Sequence, residues 1–145
     1  SGQTYGVEIA GDCRPLEQWR LQANYSFLHM HIDSNSLFRQ LDPTTGSASK
    51  VTPQHQVSLR SNYDLSDRLQ FNLWLRYVSS IDLYRIPGYV TMDAKLAFKP
   101  TRNTELFLVG QNLLSQNHQE FTSDFIPTLQ AYIPRGIYAG AQWRF

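Results

Sequence analysis

A few groups of side chains in this 145-residue chain are of types and spacings that could do chemistry. His29 and His31 flank Met30 in LHMHI. Two apart on a strand, they share a face and could ligate a metal. No third ligand stands nearby in sequence, so they read first as rim or loop histidines; His55 and His118 are isolated. Trp74 and Arg76 alternate with Leu73, Leu75 and Tyr77, so both fall on the polar face of their run. There they could meet an incoming ligand, or Trp74 could pack on a loop while Arg76 pairs with an acid. Arg60, Asp93 and Lys95 fall on the polar faces of neighbouring runs. No Ser/His/Asp spacing, Gly-rich phosphate loop or prominent carboxylate pair occurs, so no catalytic residue, resident metal or cofactor is expected.

The elements that must carry these residues are strands. Formal charge is +1, from 13 basic and 12 acidic residues, which gives no electrostatic case for a nucleic-acid partner. Cys13 is the single cysteine, so neither an internal disulfide nor a Cys-based metal site is available. Aromatic content is 13 % while mean hydropathy is −0.40. That pairing suits strands with Tyr, Phe and Trp on one face and polar groups on the other. The opening SGQTYGVEIAGD has neither the basic start nor the apolar run of a signal peptide. No stretch approaches the ~20 apolar residues of a spanning helix. Barrels, however, cross membranes with a much weaker signal per segment.

Period-2 alternation recurs seven times. Tyr5, Val7 and Ile9 share one face of the first run, and Trp19, Leu21, Ala23, Tyr25 and Phe27 one face of the second. Val57, Leu59 and Tyr63 mark the third, Leu69 to Tyr77 the fourth, and Val90 to Phe98 the fifth. The sixth, near Glu105 to Asn112, is apolar on both faces through Phe107, Leu108 and Val109, which leaves its orientation open. The seventh, GIYAGAQWRF, alternates through Ile137, Ala139, Ala141, Trp143 and Phe145.

Tight turns (RPLEQ, DLSDR, KPTRNT) follow runs one, three and five, and longer links follow runs two, four and six. Antiparallel hairpins arranged so put all the short turns at one end. Aligned by depth, the apolar face has Trp19, Tyr63, Phe98, Trp143 and Phe145 at the short-turn end. Leu21, Ala23, Leu59, Leu73, Ala94, Leu96 and Ala141 lie between, and Tyr5, Tyr25, Phe27 and Tyr77 stand at the long-link end. Rings at both ends with aliphatics between them are the two-girdle profile of a transmembrane barrel. Nine or ten residues at ~3.3 Å each, tilted by about 40°, span roughly 25 Å, the height of such a barrel's apolar band. The competing expectation is a soluble, lipocalin-like barrel or sandwich that binds an apolar ligand inside.

The sequence also resembles a family. GAQWRF has the terminal aromatic and alternation of the outer-membrane β-signal. ELFLVGQNLLSQNHQEF resembles the penultimate-strand motif of TonB-dependent outer-membrane receptors, with Gly110-Gln111-Asn112-Leu113-Leu114 its most specific part; Ser115 stands where Asp is frequent. GVEIAGDCRPLEQWRLQANYSFLHMHI, PQHQVSLRSNYDL and IPGYVTMDAKLAFKP resemble the family's other strands. The resemblance implies an all-β, antiparallel up-and-down transmembrane barrel. Residues 1–145 would be about seven strands from the C-terminal part of a 22-stranded barrel, its plug domain and energy-coupling box lying elsewhere. It implies import of a scarce nutrient across the bacterial cell outer membrane, foremost a ferric siderophore or other metal chelate. The implied partners are outer-membrane lipid, the protein's own plug, the TonB complex and the barrel assembly machinery. Phe145, Trp143 and Gly140 would belong to the assembly signal, and Trp19, Tyr25, Phe27, Tyr63, Tyr77 and Phe98 to the membrane interfaces. Trp74, Arg76, Arg60, Asp93 and Lys95 would face the lumen, and Arg39 and Lys50 in the first long link could attract an anionic chelate.

Overall fold

Alternating sequences of this kind pair into ladders because each strand then buries one face and leaves the other wet. The computed structural model describes residues 2–32, 52–83, 85–120 and 131–145. Among these described residues nine strands form: β1 (Gly2–Leu16), β2 (Trp19–Ile32), β3 (His55–Ser66), β4 (Leu69–Val78), β5 (Tyr89–Thr101), β6 (Thr104–Gln111), β7 (Asn117–His118), β8 (Ile133–Pro134) and β9 (Gly136–Trp143). Seven of them make one sheet in the order β1-β2-β3-β4-β5-β6-β9, every neighbouring pair antiparallel. The short pair β7–β8 lies within the third long link, and alternation did not announce it. The expected up-and-down order is therefore the observed one. Among the described residues, β1 and β9 each have a strand on one side only.

Each short connection is a two-residue turn: Glu17–Gln18, Asp67–Arg68 and Arg102–Asn103. Register shifts precede all three, between Cys13 and Leu16, Asp64 and Ser66, and Phe98 and Thr101. Pro15 and Pro100 sit inside two of these shifts, where a residue without an N–H costs no ladder hydrogen bond. At the other end β1 and β2 run further than alternation suggested. Gly2 pairs with Ile32, so His29 and His31 belong to the ladder and not to the link.

Register fixes which residues share a face, since cross-strand partners point the same way. Trp19 pairs with Tyr63, Tyr63 with Phe71, Phe71 with Leu96 and Leu96 with Leu108. One apolar face therefore runs across the sheet. The open orientation of β6 is resolved by the same rule. Leu106 and Leu108 join Phe98 and Leu96 on the apolar face, and Phe107 and Val109 lie opposite. That apolar face is uncovered: Tyr5 is 59 % exposed, Ile137 69 % and Trp143 70 %. The buried side chains among the described residues are Ile86, Thr91, Ala97 and Asn112. A single-layer sheet has no sandwich core, so burial arises only where a link or a large ring folds onto the polar face.

Candidate functional site

The polar face of β3, β4 and β5 brings four of the five expected side chains together. Arg60 on β3 lies directly across from Trp74 on β4, and Trp74 across from Asp93 on β5. The Trp74 indole donates to Ser58 Oγ at 2.8 Å, which fixes the ring against the sheet. Two guanidinium groups then lie over that ring, Arg60 Cζ at 4.2 Å and Arg76 Cζ at 4.3 Å from its centroid. Guanidinium stacks well on indole because its planar charge meets the negative π face with little loss of hydration.

The two arginines differ in what holds their charge. Arg76 Nη2 donates to Asp93 Oδ2 at 2.9 Å, so this cation is paired. The other oxygen, Asp93 Oδ1, accepts the backbone N–H of Asn112 at 2.9 Å. Lys95 stands apart from the ring and pairs with Glu105 at 2.7 Å, its ammonium 4.9 Å from the Phe107 ring centre. Glu105 was not among the expected residues; its place on β6 follows only once the register is known. A hollow of about 290 Å³ opens between Arg60, Trp74, Lys95 and the amide side chains of Asn62, Asn72 and Gln111.

Asn112 is the other residue that the expected set omitted, although it sits in the GQNLL stretch. It directly follows β6 with φ 52°, the left-handed region that Asn tolerates better than most residues. The kink lets Leu113 N–H reach Met92 O at 2.8 Å and the Asn112 side-chain amide reach Ile133 O at 2.9 Å. A Cβ at Gly110 would stand 2.8 Å from Leu113, so the glycine leaves room for that fold-back. Asn112 thereby ties β5, β6 and the start of β8 together. Near them the His118 ring lies 4.5 Å from that of Tyr89, and its Nε2 is 2.7 Å from Glu120.

The aromatic residues of the apolar face fall into two bands. Trp19 meets Tyr63 edge-on at 6.0 Å, its indole donating to Ser61 Oγ at 2.9 Å, and Trp143 meets Phe145 at 5.9 Å. At the long-link end Tyr5 contacts Phe27 at 6.3 Å and His29 at 5.0 Å. Tyr25 Oη lies 3.0 Å from His55 Nδ1. Tyr77 and Phe98 share the same face through their partners Val90 and Leu69. His29 is thus a member of an aromatic band. Among the described residues no three His, Cys, Asp or Glu side chains gather as a metal site would require. Gly140 lies on the polar face beneath Phe107, where a Cβ would stand 2.5 Å from the ring. Arg39 and Lys50 lie outside the described residues.

A family model described as TonB dependent receptor-like, beta-barrel, matches residues 1–113. The chain belongs to the TonB-dependent receptor β-barrel family. Members are receptors and transporters of the bacterial outer membrane, which sets aside the lipocalin-like expectation. Two solved structures share the fold. One is the FpvAI–pyocin S2 complex, with a TM-score of 0.73 and 18 % identity over 98 % of this chain. The other is the copper transporter OprC, with a TM-score of 0.68 and 15 % identity over 99 % of this chain. This chain spans 19 % and 24 % of those two chains, so it corresponds to a part of each barrel.

Proposed function

We propose that this chain forms part of the wall of an outer-membrane receptor that imports a metal chelate, foremost a ferric siderophore, with energy from the TonB complex. The observation that carries the reading is the two-faced sheet in a member of this family. Its uncovered apolar face has aromatic bands at both ends, and its opposite face holds ordered cations and amides. Lipid satisfies the first face and an aqueous lumen the second. The copper transporter among the fold's relatives extends the plausible cargo from iron to other metals.

On this reading Trp19, Tyr63, Phe98, Trp143 and Phe145 lie at the periplasmic interface, and Tyr5, Tyr25, Phe27 and Tyr77 at the outer one. Trp74, Arg76, Arg60, Asp93 and Lys95 face the lumen, where they meet the plug or the passing ligand. Gly140 and Trp143 on β9, with Phe145 just beyond it, present the pattern that the barrel assembly machinery reads. The wall contributes no chemical step. The deciding experiment deletes the whole gene and follows uptake of radioactive iron and copper, each offered as several chelates, with and without an intact TonB complex. Loss of TonB-dependent uptake of one chelate is expected; unchanged uptake of every chelate would falsify metal import.

A further inference from the structure

We infer that Arg60 is a built seat for a single carboxylate group. This deepens the reading of the polar face as a solvated lumen wall and rests on it. The charges nearest Trp74 on this wall are three cations, Arg60, Arg76 and Lys95, and two carboxylates, Asp93 and Glu105; Asp64, four residues further along β3, accepts from the Gln70 amide at 2.8 Å. Both nearer carboxylates are taken, by Arg76 at 2.9 Å and by Lys95 at 2.7 Å. Arg60 is left as a surplus positive charge with no ion pair among the described residues.

A surplus cation on a long side chain is usually a mobile, hydrated tip that holds nothing in particular. Arg60 is different because the indole shelf orders it. Its guanidinium lies 4.2 Å over a Trp74 ring that is itself pinned by Ser58. The ring contact uses none of the guanidinium N–H donors, and they make no hydrogen bond to another described residue, so they are open to a carboxylate, which a guanidinium can grip bidentately. The nearby hollow of about 290 Å³ is lined by the neutral amides of Asn62, Asn72 and Gln111, which can bond further oxygens, and by Asp93 and Lys95, whose charges are already paired with Arg76 and Glu105. One uncompensated positive charge matches a monoanion, so a carboxylate fits better than a doubly charged phosphate. Such a group can come from a small solute in the lumen or from an acidic side chain of a lumen-filling part of the same protein.

The test uses the full-length protein in detergent and an arginine-specific reagent, phenylglyoxal, with each adduct located by mass spectrometry. Arg68, in a short turn, serves as the exposed reference. The probe is acetate, with chloride at equal ionic strength as control. If the carboxylate comes from a solute, Arg60 reacts like Arg68 in chloride and about tenfold more slowly in acetate, while Arg68 is unaffected. If it comes from the protein, Arg60 is already about tenfold slow in low salt without acetate and is released by high salt. Any other pattern overturns the seat, including equal reactivity in both salts, or protection that neither acetate nor salt alters. The readout is on purified protein and the import test is in cells, so either can fail without the other.

Discussion

At the residue scale, Asp93 is the side chain on which most depends. It faces Arg76 with one oxygen and the Asn112 N–H with the other, at 20 % side-chain exposure. Asp93→Ala leaves a half-buried guanidinium and a buried backbone donor without their acceptor. The expected cost is about 2 kcal/mol, within the range for hydrogen bonds to charged groups. Asp93→Asn keeps an acceptor for the Asn112 N–H but turns its NH2 toward the Arg76 guanidinium, donor against donor, so it loses the ion pair with its hydrogen bond and should still cost about half as much as Ala. Urea unfolding midpoints of the full-length protein in lipid vesicles would show the order wild type, Asn, Ala; equal midpoints for Asn and Ala would mean that the N–H contact carries no weight. The sequence exposed this residue as polar-faced and the Arg76 partner as an acid of unknown position. It did not expose Asn112, because a left-handed corner depends on one backbone angle that alternation does not report. Glu105 was hidden for a related reason, since the mixed apolar faces of β6 gave no way to orient it before pairing.

Among the elements, β9 combines an ordinary strand pattern with a constraint on its polar face. Phe107 on β6 lies over Gly140, meets Tyr138 edge-on at 6.5 Å and sits beneath the Lys95 ammonium. A methyl group at position 140 would push that ring off both contacts. Gly140→Ala should therefore destabilise the β6–β9 pair by about 1–2 kcal/mol, the usual range for overpacking. Phe107→Leu combined with Gly140→Ala removes the obstructing ring edge and should cost less than the two changes summed; simple additivity of the unfolding midpoints would refute the clash. On the opposite face Trp143 and Phe145 touch each other at 5.9 Å and are open to the surroundings. Replacing both by Ala leaves that clash untouched. It should lower the fraction of full-length protein that reaches the folded, heat-modifiable form in outer membranes, and a normal fraction would remove these rings from the assembly signal. The seven long strands and their three tight turns were legible because period 2 and turn residues are local signals. The β7–β8 pair, two residues to a strand, is too short to show any period.

For the whole molecule, the decisive matter is which face of the sheet meets lipid, and the three tryptophans of this chain report on it directly. Trp19 and Trp143 stand on the apolar face near the short turns, while Trp74 stands on the polar face beneath Arg60 and Arg76. A soluble barrel would turn the apolar face inward and the polar face to water. A receptor barrel does the reverse, and the register alone cannot distinguish them, because a one-layer sheet has the same pairing in either case. Family membership decides for the receptor. Single-tryptophan versions of the full-length protein, folded into vesicles of brominated phospholipid, turn that decision into a measurement. Bromine quenches fluorescence only at close range, so Trp19 and Trp143 should dim strongly, most with bromine near the headgroups, as rings at an interface require. Trp74 should stay bright in the same vesicles and respond instead to a water-soluble quencher that enters the lumen. Strong lipid quenching of Trp74 with bright Trp19 and Trp143 would turn the sheet inside out, and Arg60 would then have no lumen in which to hold a carboxylate.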